Sequence, residues 1–143
     1  MYQRLKFGFK KSIERERGFD QPLGNFSRRL WPWREWKLAL FVAGLAILDF
    51  VSTYAAIKLS GNPNIVEAGK LAGWALNVGG FPGLFGIDCA ALVGMISFAY
   101  GTRYLYTRNG FPGFGRAAYV FMLTPYAVII ISVVLNNVVL TFI

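Results

Sequence analysis

The chain has 143 residues, 55% of them hydrophobic and 17% aromatic, with no histidine and a single cysteine. Its apolar residues run in long blocks between basic or glycine-rich connectors, which is the composition of a membrane protein. The net charge of +8 is segregated: ten of the fifteen Lys and Arg precede residue 38 and three lie between Arg103 and Arg116, so it marks topology and argues against nucleic acid as the partner.

The residue inventory excludes further classes. With no imidazole and one thiol, Cys89, inside an apolar block, the usual zinc and copper ligand sets, histidine-ligated haem and internal disulfides are ruled out. No metal site, no catalytic residue and no cofactor of the chain's own is expected, and Cys89 reads as a small packing residue.

Residues 1–37 read as a basic, aromatic arm on the cytoplasmic face. "YQRLKFGFKK" interleaves cations with aromatic rings, and "RRLWPWREWK" sets Trp31, Trp33 and Trp36 among Arg28, Arg29 and Arg34 at the start of the first apolar run. Indoles suit the headgroup layer, and neighbouring cations favour anionic lipid. The arm is expected either to contact lipid or to dock on a partner's cytoplasmic face. Its long charged lead and the span-length run after it do not fit a cleavable signal peptide.

Residues 38–143 read as the membrane domain. The first span, 38–59, has 22 residues and covers about 33 Å as a helix, enough to cross. "SGNPN" ends it, with Asn62 as a cap and Pro63 at the first position of a helix over 63–78. That segment is short and apolar on a broad face, so it is expected to lie on the outer surface or to re-enter the membrane. Counting it as a fourth span would move Arg103, Arg108 and Arg116 outside, against the charge rule.

The second span is expected at 82–104 and the third at 117–141, with Pro125 kinking the third. "GGFPGLFG" and "NGFPGFG" precede these spans thirty residues apart. They read as a shared helix-start device, in which glycine permits the turn and proline presets the first helical turn. The fold expected is an all-α integral membrane protein of three transmembrane helices plus one short amphipathic surface or re-entrant helix. Its N-terminus is placed in the cytoplasm and its C-terminus outside a cell (inner) membrane.

Asp49 stands at the centre of the first span, where insertion costs about 2.5–3.5 kcal/mol. On a helix it shares a face with Ala46, Ser52, Thr53 and Ala56, so that face should meet protein. Ser52 and Thr53 can donate to its carboxyl group, and no Lys or Arg lies at that depth. Desolvation then favours a protonated Asp49 unless another subunit brings a cation. Asp88, Asn136 and Asn137 are expected near the outer ends of the second and third spans, with Asp88, Asn136, Lys70 and Glu67 forming a polar cluster; Asp88 is read as lying at a different depth from Asp49. The cluster would hold the helices in register, move protons or ions, or meet another subunit. Gly86, Ala90 and Gly94 make a small-residue stripe that lets another helix approach closely.

The stretch "LDFVSTYAAIKLSGNPNIVEAGKLAGW" resembles a group of small prokaryotic membrane proteins with no established biochemical role. These have an aspartate followed by Ser-Thr or Thr early in one span, then Glu-x-Asn-Pro after a short loop. Asp49, Ser52 and Thr53 match the first half; Glu67 and Ala68 match the start of the second, where Gly69-Lys70 replaces Asn-Pro. The resemblance implies a prokaryotic inner membrane and a bundle of three to four helices, and it implies no activity.

These features lead to the expectation of a non-catalytic accessory subunit of a larger membrane complex, of energy-converting or oxidoreductase type. Its partners would be other membrane-protein subunits and bound, anionic lipids. The alternative is a small oligomeric proton- or ion-coupled transporter using Asp49. A lipid-modifying enzyme fits less well, since the carboxylates are not paired at metal-binding spacing and the Gly-Phe-Pro-Gly loops lack a phosphate cradle's lysine.

Overall fold

The computed structural model describes residues 17–59 and 70–142, all helix and short connectors, with no strand among them. α1 covers residues 17–30, α2 Glu35–Leu59, α3 Lys70–Arg108 and α4 Pro112–Thr141. α2, α3 and α4 are each long and apolar enough to cross a membrane.

Each long helix extends past its apolar run into polar sequence. α2 starts at Glu35, where an acid suits the helix N-terminus, and ends next to Lys58, where a cation suits the C-terminus. α3 continues to Arg108, and α4 begins at Pro112, whose fixed φ and missing N–H fit a first helical position. Only Asn109–Phe111 separates α3 from α4. Gly110, at φ 86°, reverses the chain there. Gly110 N–H bonds to the Thr107 carbonyl at 3.1 Å and Phe111 N–H to the Tyr106 carbonyl at 2.9 Å, which closes α3 in a Schellman motif.

The first "GFPG" copy follows the same logic within a longer helix. Gly80, at φ 62° and ψ −157°, interrupts α3 two residues before Pro82, as Gly110 stands two residues before Pro112. Residues 70–79 are thus a helical segment of α3 set off by Gly80. The first part of the expected 63–78 surface helix, residues 63–69, lies outside the described residues.

The chain divides into two compact units. The first contains the described residues up to Leu38 together with Phe98–Met122. Its core is built on Leu38, Ala99, Ala117, Tyr119, Val120 and the fully buried Ser27. Residues 17–30, read from sequence as part of an arm, are an ordered part of this unit.

The second unit contains Ala39–Ser97 and Leu123–Ile143. On α2 it buries Val42, Leu45, Ser52, Thr53 and Ala56, and on α4 Leu123, Ala127 and Ile130. Val42, Leu45, Ser52 and Ala56 on α2, and Leu123, Ala127 and Ile130 on α4, fall at intervals of three, four and seven residues, the spacing of a single helix face. Phe50 meets Phe85 at 5.2 Å between ring centroids and Tyr54 meets Phe81 at 4.8 Å. Rising numbers on one helix against falling numbers on the other make α2 and α3 antiparallel there.

Candidate functional site

In the first unit the polar residues are organised around the start of α4. Pro112, Gly113 and Phe114 are its first three residues; Pro112 has no N–H, and the orphan N–H groups of Gly113 and Phe114 need an acceptor that Phe111, at the cap position, has no side chain to supply. Asp20 of α1 supplies it. Its Oδ2 accepts from Gly113 N–H at 3.1 Å and its Oδ1 from Phe114 N–H at 2.8 Å.

This contact depends on glycine. A Cβ on Gly113 would collide with the Asp20 main-chain carbonyl, and one on Gly24 would lie 3.0 Å from Gly113 Cα. Asp20, Gly24 and Ser27 recur at helical spacing on α1, and Ser27 satisfies its buried hydroxyl on the Gly24 carbonyl at 2.8 Å.

Beside this cap, Glu35 joins α2 to the other helices. Its Oε1 accepts from Arg116 Nη1 at 2.7 Å and lies 3.6 Å from Arg103 Nη2. Arg116 Nη2 also donates to the carbonyls of Trp31 and Trp33 at 2.8 and 3.1 Å, fixing the connector between α1 and α2. Glu35 precedes the apolar run that begins at Leu38. Burial raises its pKa, but a hydrogen bond from its own main chain and the fields of Arg103 and Arg116 outweigh this and hold the carboxyl below its ordinary 4.5.

A cleft of about 420 Å³ lies among these groups, with Arg28, Arg103, Arg116, Asn25, Asp20 and Glu35 in its walls. Of the arm residues singled out from sequence, Arg28 lines this cleft, while Arg29 and Arg34 are exposed. Trp31 packs edge-on against Trp33 at 4.9 Å; Trp33 and Trp36 are exposed. Asp20, Glu35, Arg103 and Arg116 were not expected to form a site. The "FPG" helix start was the available signal, since its N–H groups had to meet an acceptor from elsewhere in the chain.

In the second unit, Asn137 Nδ2 donates to Ser52 Oγ at 3.1 Å and to Thr53 Oγ1 at 2.9 Å. Ser52 in turn donates to the Asp49 main-chain carbonyl at 2.9 Å, so its single hydroxyl proton serves the backbone and leaves the carboxyl group to others. Ser52 and Thr53 are each 9% exposed, Ala56 is 2% exposed, and the Asp49 Oδ1 atom is enclosed by protein. The α2 face carrying Asp49 therefore points into the unit.

Of the expected polar cluster, Asn136 is exposed and takes no part in the hydrogen bonds of Asn137; Glu67 and the side chain of Lys70 lie outside the described residues. Asp88 borders a small hollow with Cys89, Phe85, Ala46, Ile47 and Phe50. Since Ala46, Ile47 and Phe50 flank Asp49 in α2, the two acids stand within about one helical turn of each other in depth. Tyr126 of α4 lies within electrostatic range of both. Each acid has an interaction partner within the chain.

Gly86, Ala90 and Gly94 are all exposed. A Cβ built on Gly86 or Gly94 would meet nothing within 4 Å, so the stripe is uncovered among the described residues. Compared with family models, curated proteins and solved structures, the chain matches none of them.

Proposed function

We propose that this chain is a non-catalytic accessory subunit of a larger complex in a prokaryotic inner membrane, of energy-converting or oxidoreductase type. Its three apolar helices cross the bilayer with the N-terminus in the cytoplasm and the C-terminus outside. The observation that carries this reading is the nakedness of α3. Only 6% of its most apolar stretch is buried, against 28% for α2 and for α4, and its stripe of small residues faces away from the chain. Lipid chains fill such a stripe less well than a partner helix, whose backbone can approach to contact distance. Blue-native electrophoresis of gently solubilised membranes tests the proposal. A band well above the monomer, containing other proteins, supports it; a band at the size of a monomer or small homo-oligomer with nothing co-migrating refutes it.

A second reading is favoured by the nearness of Asp49, Asp88 and Tyr126. Titratable groups gathered from three spans at similar depth are what a proton- or ion-coupled oligomer needs. Reconstituted protein that carries proton-dependent flux, lost in Asp49→Asn, would establish this reading; flux no greater than in empty liposomes would dismiss it.

A further inference from the structure

We infer that the cleft between α1, the head of α2 and the α3–α4 turn binds a phosphate-bearing anion, gripped by Arg28 and Arg103. Its walls carry three guanidinium groups and two carboxylates, and the carboxylates are already committed. Both Asp20 oxygens accept main-chain N–H groups of α4. Glu35 is engaged by Arg116 at 2.7 Å, and Arg116 is itself tied to the carbonyls of Trp31 and Trp33.

Two guanidinium groups keep donors to offer. Arg103 approaches Glu35 only at 3.6 Å, beyond hydrogen-bonding distance, and its side chain is 34% exposed. Arg28 lines the cleft and makes no ion pair among the described residues. Each presents five N–H donors in a planar fork that matches phosphate oxygens two at a time.

The two belong to different helices, α1 and α3. A tetrahedral oxyanion, with acceptor oxygens pointing several ways, can bridge them where a planar carboxylate could serve only one fork well. Asn25 adds an amide donor to the same wall. The walls keep a net positive charge after Asp20 and Glu35 are counted, and a volume of about 420 Å³ accommodates a headgroup-sized ligand. The phosphate could be carried by an anionic lipid or by a soluble ester; the chemistry of the grip is the same.

The test uses the full-length protein in maltoside, with thermal stability followed during titration. The probes are dioleoylphosphatidylglycerol, glycerol 1-phosphate and inorganic phosphate. The expected result is saturable stabilisation by at least one probe, with half-saturation weakened about tenfold in Arg28→Gln and in Arg103→Gln, as loss of a charged hydrogen-bonding partner predicts. Arg29→Gln, one residue away and outside the cleft, should stay within about twofold. Stabilisation by phosphatidylglycerol alone assigns the site to a lipid headgroup; stabilisation by glycerol 1-phosphate or inorganic phosphate as well assigns it to a soluble phosphate group. Should Arg103→Gln not fold, Arg28→Gln decides the matter, because Arg28 makes no ion pair among the described residues whose loss would unsettle the unit. The inference is overturned if no probe binds saturably, or if Arg29→Gln weakens binding as much as Arg28→Gln.

Discussion

Asp20 Oδ1 accepts a 2.8 Å hydrogen bond from the main-chain N–H of Phe114, across 94 positions of sequence. A carboxylate from one helix thus caps another, doing what the residue before Pro112 cannot. Asp20→Ala should lower stability by about 0.5–2 kcal/mol, the range for losing an N-cap acceptor. Asp20→Asn, which retains one acceptor oxygen, should fall between Asp20→Ala and the parent. Thermal unfolding in detergent micelles checks the order; an Asp20→Ala protein as stable as the parent would show the cap to be idle.

The same contact makes Gly113 intolerant of even a methyl group. Gly113→Ala must push α4 away from the Asp20 carbonyl, a forced overpacking expected to cost about 1–3 kcal/mol. Gly18→Ala, also on α1 but with nothing within 4 Å of its Cβ, should be neutral or slightly stabilising through helix propensity. Equal unfolding temperatures for the two variants would contradict the close approach.

Glu35 gives the first unit a definite response to acid. Folding lowers its pKa, so the folded chain binds this proton more weakly than the unfolded chain does. Its contribution is complete above the unfolded value near 4.5 and disappears as pH falls through the lowered folded value. The stability difference between the parent and Glu35→Gln should be constant from neutral pH to about pH 5.5 and shrink below that. A difference that grows on acidification would reverse the assignment.

The hydrogen bonds of Asn137 can be measured as a coupling. In a double-mutant cycle of Asn137→Ala and Thr53→Ala, the interaction energy should be about 0.6 kcal/mol and no more than about 1.7 kcal/mol, as between other membrane helices. Unfolding in mixed detergent micelles supplies the four stabilities. Strict additivity would mean that the pair contributes no specificity.

Gly86→Leu and Gly94→Leu separate folding from assembly. A Cβ at either position would meet nothing within 4 Å among the described residues, so unfolding of the isolated protein should change little. The high-mass band on a native gel should be lost. Intact assembly in both variants would move the partner surface elsewhere.

The three long helices were readable in the sequence because runs of Leu, Val, Ile and Phe are long enough to declare themselves. The inward face of Asp49 was readable as well, since Ala46, Ser52, Thr53 and Ala56 follow it at helical spacing. α1 was not. Its packed positions, Asp20, Gly24 and Ser27, are small or polar and carry no apolar period, and the surrounding charges resemble a solvated tail. The Glu35–Arg116 pair was hidden for another reason: the charge rule used Arg116 to orient the chain, and 81 residues separate it from its acid.

The separation between Asp20 and the N–H groups it caps also has a meaning during synthesis. Those groups are 93 and 94 residues downstream, which at ordinary elongation rates is roughly 5–20 s of ribosome time. For that interval a newborn α1 has no α4 to rest on. α1 is therefore among the last of the described helices to settle, and a ribosome paused before residue 113 would hold a nascent chain whose α1 is still open to capture by a chaperone or protease.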